Sequence, residues 1–250
     1  GNMNLFDLSG KIAIITGSSR GIGRAIAEQM AAHGARVVIS SRKQEACEPV
    51  AQAIRARGGE AMAIPANIGD KQQLNELVSK TVAAWGNIDV IVCNAASNPY
   101  YGPTSGMGDD VFEKVMNNNV RSSIWLANLA LPLMAQRGSG KGGAMIIVSS
   151  IAAFKGSATL GLYALSKAAD VQLARNLALE WGKHNIRVNC IAPGLVRTDF
   201  AKALWENPAL LKDTEARTPL GRIGEADDIA GVAVMLASRA GAWQIGRAHV

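Results

Sequence analysis

Cysteine and histidine are scarce in this chain, with three of each in 250 residues. Cys47, Cys93 and Cys190 show no CxxC spacing and lie in apolar or helical contexts. That excludes a disulfide scaffold and reads as reduced, buried thiols of a cytosolic protein. His33, His184 and His249 are far apart and none falls in a metal-ligand pattern, so no metal site is expected. Charged residues make up only 18%, too few for a disordered polyelectrolyte. The net charge of +6 comes without a basic run or an interleaved aromatic stripe, so a nucleic-acid partner is not expected and an anionic small ligand is. Near the start the longest apolar run is Ile12 to Ile15, too short for a signal segment or a membrane span. A soluble, untargeted, cytoplasmic protein is the expectation.

What the chain does have is apolar content, 48% of its residues, enough to bury one large core. Short β-branched runs read as strands at Lys11–Thr16, Arg36–Ser41, Glu60–Pro65, Ile88–Cys93, Ala144–Ser149 and Ile186–Ile191. Helical patterns fall between them at 22–33, 44–57, 71–85, 108–137 (continuous or broken), 161–183 and 225–237, with Gly34, Gly58 and Gly182 as helix stops. Strands apolar on both faces and separated by crossover helices predict an α/β fold: a doubly wound parallel sheet, Rossmann-like, in a single domain over 1–250. The connection from Arg197 to Gly224 carries Phe200, Leu204, Trp205 and Leu211, which reads as a flap over a substrate and equally as a packed helical hairpin. Gly1-Asn2 reads as an expression scar. Ile245–Val250 reads as translated adapter sequence, with the expectation that a native end was lost there.

The segment Thr16-Gly17-Ser18-Ser19-Arg20-Gly21-Ile22-Gly23 follows a strand and opens a helix. Gly17 permits the tight turn, Gly21 lets the backbone approach a pyrophosphate and Gly23 allows close helix packing, with the helix amides facing the anion. At the end of the second strand a NAD site usually offers a carboxylate to the ribose 2′-hydroxyl. This chain has Ser40-Ser41-Arg42-Lys43 there, so Ser41, Arg42 and the turn's Arg20 suit a 2′-phosphate, and NADP(H) is the expected cofactor.

Tyr163 and Lys167 stand four residues apart, one helical turn, and project from one face. A phenol with its ordinary pKa near ~10 is a poor acid or base at neutral pH, and a neighbouring ammonium stabilises its anion. Together with the glycine turn, Asn94-Ala95-Ala96 after the fourth strand, Asn119, Ser150 thirteen residues before the tyrosine, and Pro193-Gly194 followed by Thr198, this pattern resembles the short-chain dehydrogenase/reductase family from Leu5 to about Gly246. The resemblance implies that Tyr163 gives its proton to a carbonyl oxygen, Ser150 polarises that oxygen, Lys167 holds the nicotinamide ribose and tunes Tyr163, and Asn119 holds a relay water. It also implies a cofactor site of Gly17, Ser19, Arg20, Gly21, Ile22, Gly23, Ser41, Arg42, Asn67, Ile68, Asn94, Ala95, Tyr163, Lys167, Pro193, Gly194, Val196 and Thr198. Two positions depart from the common pattern. Ala96 replaces a usual glycine, and Asn67 stands where an aspartate often meets adenine, without loss of its capacity to accept and donate.

The runs Asn94 to Gly102 and Ser149 to Phe154, with Ala203-Leu204-Trp205, are similar to the NADP-dependent carbonyl and retinal reductases of animal peroxisomes, although no peroxisomal address is readable at the end of this chain. Tyr100, Tyr101, Ile151, Phe154, Leu160, Leu195, Phe200 and Trp205 form a candidate apolar pocket, so a small apolar or aromatic ketone, aldehyde or alcohol is the expected substrate. Reduction of 3-oxoacyl thioesters is the alternative, and a catalytically silent dinucleotide-binding protein a third reading. Resemblance further implies a homodimer or homotetramer packed through the helices at 108–137 and 161–183. The shortened end is expected to weaken that assembly.

Overall fold

In the computed structural model, which describes residues 3–136 and 142–250, seven parallel strands form one sheet in the order β3-β2-β1-β4-β5-β6-β7. The strands are β1 (Ile12–Thr16), β2 (Arg36–Ser40), β3 (Glu60–Ala63), β4 (Val90–Cys93), β5 (Gly143–Val148), β6 (Ile186–Ile191) and β7 (Ala248–His249). Their runs of valine and isoleucine are buried on both faces, which is why they read as continuous apolar stretches and not as alternation. Six match the expected strands to within two residues. The seventh is short, pairing Cys190 with Ala248 and Ile191 with His249. Asn189 secures it from β6, donating to the Gln244 carbonyl and accepting from the Arg247 amide.

Helices cover both faces. On one side, α1 (Gly21–Ala32), α2 (Gln44–Ala56) and α9 (Ala226–Ala237) bury Ile26, Met30, Val50, Ile54 and Val234 against the sheet. On the other, α3 (Lys71–Trp85), α5 (Ser122–Ala135) and α6 (Gly161–Trp181) bury Leu74, Leu77, Leu126, Leu131 and Leu177. Each buried side chain of this size contributes roughly 1.5–3 kcal/mol, so the two layers supply most of the stabilisation. Two charged side chains serve the frame. Asp89, buried ahead of β4, accepts from the Ile12 amide and fixes where β1 starts. Arg187 of β6 donates to the carbonyls of Leu236, Ser238 and Gly241, closing the carboxyl end of α9 where a cation is favoured by the helix dipole.

One local expectation needs correcting, and a second is borne out in detail. Gly182 keeps right-handed helical backbone and leads into a 3-10 turn at Gly182–His184; the left-handed stop is Asn185, at φ 58°. An asparagine tolerates that region because its short amide can bond locally. The pattern at 108–137 is one helical path in three parts: α4 (Asp109–Met116), a π-helical turn at Asn117–Arg121, and α5. Its expected last residue, Arg137, and the expected scar at Gly1-Asn2 lie outside the described residues.

Candidate active site

All strands point the same way, so their carboxyl ends share one edge, and there the loops enclose a single cleft of about 1860 Å³. That is larger than the ~300–1,000 Å³ usual for one small ligand and leaves room for a dinucleotide beside a substrate. Every residue expected to touch the cofactor lines it except Gly23, and so do Ser150, Tyr163 and Lys167.

The turn after β1 is held from three directions. Thr16 Oγ1 accepts from the amides of Asn94 and Ala95, at 3.0 and 3.1 Å, and Asn94 Nδ2 donates to the Gly17 carbonyl at 3.1 Å. Ser18, fully buried, bonds the Ile15 carbonyl and the Ser40 amide, locking the turn to β2. Gly23 does not line the cleft because it backs the turn: a Cβ there would lie 2.2 Å from the Gly17 carbonyl oxygen. At Gly21, φ is +60° and the nearest neighbour a Cβ would meet is Thr198, across the cleft. Helix α1 begins with no side-chain cap and no acid in its first turn. Its first amides are therefore the open, electropositive end that an anion needs.

These features fit a dinucleotide, and the neighbouring groups fit its outer parts. Ser41, Arg42 and Arg20 line the rim without an acidic side chain from β2. Asn67 uses its amide oxygen to accept from the Gly69 amide at 2.9 Å, so its NH2 is the group left to face a base. On the far side, the Pro193–Thr198 loop is pinned by the Ile151 amide donating to the Pro193 carbonyl and by a bridge between Val196 and Gly224.

The reacting end is assembled from β5 and α6. Ser150 caps the 3-10 turn Ile151–Phe154 by accepting from the Ala152 amide at 3.1 Å. Among the described residues no acceptor takes its hydroxyl hydrogen. Tyr163 is half-buried, its ring 6.1 Å from that of Phe200, with Lys167 Nζ 5.5 Å from the ring centroid. Lys167 itself is buried, donating to the Val148 carbonyl at 2.9 Å, while the Ser149 hydroxyl donates to the Lys167 carbonyl. One turn further along α6, Asp170 lies 3.6 Å from Lys167 Nζ.

Asn119 sits in the π-helical turn and behind the cleft wall. Its oxygen accepts from the Ser97 amide, and its NH2 donates to the Ser97 carbonyl and to Ser166 Oγ. Both amide hydrogens are thus committed to tying the β4 loop to α6. The water expected there has only the remaining oxygen lone pair or the main chain to bind.

The candidate substrate pocket is partly corrected. Tyr101, Ile151, Leu160, Leu195 and Phe200 line the cleft; Tyr100, Phe154 and Trp205 do not. Tyr100 donates to the Pro103 carbonyl within its own loop. Trp205 donates to the Thr198 carbonyl and stacks under Arg197, and Phe154 is exposed. The 197–224 connection is indeed helical, with α7 (Lys202–Trp205) and α8 (Pro208–Arg217), and neither helix buries a residue. Leu204 and Leu210 turn toward the cleft. Sequence reasoning missed Lys155, on the rim beside Ser150, and Asp170. No sequence signal marks Asp170; its burial on α6 is seen only in the packing.

Comparison with known proteins agrees with this geometry. A family model described as Enoyl-(Acyl carrier protein) reductase matches residues 17–250. Dehydrogenase/reductase SDR family member 4 of Bos taurus is 38% identical over 231 residues, 92% of this chain and 82% of that protein. Dehydrogenase/reductase SDR family member 2, mitochondrial, of Homo sapiens is 40% identical over 92% of this chain and 81% of its own length. Among solved structures, 7α-hydroxysteroid dehydrogenase complexed with NADH and 7-oxoglycochenodeoxycholic acid superposes with a TM-score of 0.94 at 36% identity, covering 100% of this chain and 95% of its own. A gluconate 5-dehydrogenase from Burkholderia cenocepacia J2315 in complex with NADP and tartrate gives 0.93 at 30% identity, over 98% of this chain and 94% of that one.

Proposed function

The chain belongs to the short-chain dehydrogenase/reductase family of oxidoreductases, and we propose that within it the protein is an NADP(H)-dependent reductase of apolar ketones and aldehydes, running in reverse as an alcohol dehydrogenase. The observation that carries this reading is the meeting of Ser150, Tyr163 and Lys167 in the same cleft as the open end of α1. When bound, the nicotinamide supplies the hydride, and the protein supplies position, charge and a proton. Ser150 donates its free hydroxyl hydrogen to the carbonyl oxygen and strengthens that bond as negative charge develops there. Tyr163 transfers its phenolic proton to the same oxygen, leaving a phenolate that the Lys167 ammonium stabilises until a proton returns from solvent. Gly17, Ser19, Gly21 and Ile22 hold the pyrophosphate end, Asn67 and Ile68 the adenine, and Thr198 with Val196 the carboxamide.

The preference for NADP(H) rests on Ser41, Arg42 and Arg20, which line the rim beside Lys43 and Glu45, and on the lack of an acid at the end of β2 itself. The substrate class rests on Ile151, Leu160, Leu195, Phe200, Leu204 and Leu210, the apolar part of a lining that also holds Lys155, Asp213 and Arg217. The same catalytic residues would serve 3-oxoacyl thioesters, the second reading favoured by the acyl-carrier chemistry in the family model's description. A panel of aromatic ketones, α-diketones, retinal and an acetoacetyl thioester with NADPH separates the two. Tyr163→Phe should lower kcat/KM by about 10²–10⁴-fold on the best substrate; activity equal to wild type would remove Tyr163 as the acid/base and leave a silent dinucleotide-binding protein as the reading to pursue.

Assembly as a homodimer or homotetramer belongs to the same proposal. Phe112, Ile124, Leu133, Leu165 and Leu179 are exposed apolar side chains along α4, α5 and α6, and Leu179 is 88% exposed. Light scattering on the purified protein checks it. A cytoplasmic location, supported by three free, buried cysteines, is checked by cell fractionation.

A further inference from the structure

Among the described residues, Asp170 is the one buried charged group near the reacting residues that the proposed mechanism leaves unused. It is 1% exposed, and neither carboxylate oxygen has a hydrogen-bond partner. Burying a carboxylate without hydrogen bonds is costly, and natural folds retain such a group chiefly where its charge acts on something. The packing around it narrows what that something is. Strand β6 presents Cys190, whose thiol meets the Asp170 carbonyl at 3.5 Å, and β4 presents Cys93. Burial pushes both thiols up to about 12, so they stay neutral and offer no counter-charge. From its own helix, Lys167 Nζ stands 3.6 Å away. Lys167 is therefore the cation that Asp170 faces, and Lys167 also lies over the Tyr163 ring.

We propose that Asp170 is a positioning residue of this reaction: its carboxylate holds Lys167 from below and offsets part of the ammonium's charge, and thereby sets the pH range in which Tyr163 gives and takes its proton. The inference rests on the assignment of Tyr163 and Lys167 made above. Coulomb's law supplies the direction. An ionised Asp170 weakens the field that Lys167 exerts on the phenol, so Tyr163 keeps its proton to higher pH. A neutral Asp170 leaves Lys167 uncompensated, and the phenol ionises earlier. Burial pushes the Asp170 carboxyl up to about 7, with Lys167 pulling against that rise, so the offset itself changes near neutrality.

The test compares pH profiles of kcat/KM for NADPH-dependent reduction of benzil, an aromatic α-diketone, and for NADP+-dependent oxidation of its alcohol product. Wild type, Asp170→Asn, Asp170→Ser and Tyr163→Phe are measured together. In both Asp170 variants the alkaline limb of reduction and the acid limb of oxidation should move down together by about one pH unit. A merely structural role would lower both rates without moving either limb. If the limbs stay in place while Tyr163→Phe is inactive, this inference is wrong and the assignment of Tyr163 stands. If Tyr163→Phe matches wild type, the assignment itself fails and takes the inference with it. If neither Asp170 variant folds, the carboxylate is holding the core together and the tuning role is overturned.

Discussion

The turn after β1 and the flap after β6 face each other across one cleft and are built on opposite plans. At the turn, Thr16 accepts from the Asn94 and Ala95 amides, Asn94 donates to the Gly17 carbonyl, Ser18 bonds the Ile15 carbonyl and the Ser40 amide, and Gly23 packs with no space for a single added carbon. In the 197–224 connection, α7 and α8 bury nothing; Trp205 donates back to the Thr198 carbonyl of the same connection, and the Val196–Gly224 bridge closes its base. Close packing and committed hydrogen bonds are concentrated in the turn, and the two helices of the connection carry few of either. Two buried acids repeat the contrast. Asp89, 3% exposed, accepts the Ile12 amide and serves the frame, whereas Asp170 has no hydrogen bond to either oxygen and sits by the chemistry.

The hardest blow to the rigid side is Gly23→Ala. The added carbon would stand 2.2 Å from the Gly17 carbonyl oxygen and 2.5 Å from Asn94 Nδ2, so backbone must move. A cost of about 3 kcal/mol in stability is expected, with loss of NADPH binding measurable by fluorescence titration. Thr16→Val comes next. It keeps the side chain's shape but strips the acceptor from the Asn94 and Ala95 amides, and about 2 kcal/mol should go, read as a fall in Tm of roughly 4–8 °C for a chain of this length. A Tm unchanged by either substitution would show the turn to be as tolerant as the flap.

Asp170 sharpens the comparison through pH. Its folded carboxyl titrates at about 7 against 3.8 for the ordinary group, so the folded state binds the extra proton between those values. The contribution of Asp170 to stability is fully present below about pH 4 and is lost as the pH rises to about 7. Wild type should therefore lose a few degrees of Tm across that window relative to Asp170→Asn. Asp228, held below the usual carboxylate range by hydrogen bonds from Arg222 and the Glu225 amide, titrates on the acid side of 3.8 and does not confuse the difference. Smaller again is Arg42→Ala, which should weaken NADPH by about ten- to a hundredfold and leave NADH nearly unchanged. Equal loss for both cofactors would take the 2′-phosphate away from Arg42.

Which of these parts could be read in the residues follows the same divide. Strands β1 to β6 were legible because burial on both faces demands unbroken apolar runs, and Gly17, Gly21, Tyr163 and Lys167 because their spacing carries a geometric requirement. The π-helical turn at Asn117–Arg121 left no such mark, since one extra residue per turn barely alters the apolar period. Asn185 as the helix stop was hidden behind Gly182, the more usual residue for that backbone. Asp170 reads in sequence as one more polar residue on a helix, and only packing shows that it faces inward. In the substrate half, Tyr101 and Tyr100 are indistinguishable as letters, yet one lines the cleft and the other bonds back into its loop. Aromatic content announces a pocket without saying which rings are in it.

The smallest effect on folding is expected in the flap itself, and it is the one that most directly tests the division of labour. Leu210 stands on α8, exposed on one side and facing the cleft on the other. Leu210→Ala removes no buried contact of the frame, so stability should stay within about 0.5 kcal/mol of wild type. The affinity for NADPH should not change, because the turn and the 2′-phosphate rim are untouched. KM for an apolar ketone should rise about three- to tenfold with kcat nearly constant, the signature of lost uniform binding. If Tm falls by several degrees instead, α8 is part of the packed body, and the cleft is closed by structure and not by a movable cover.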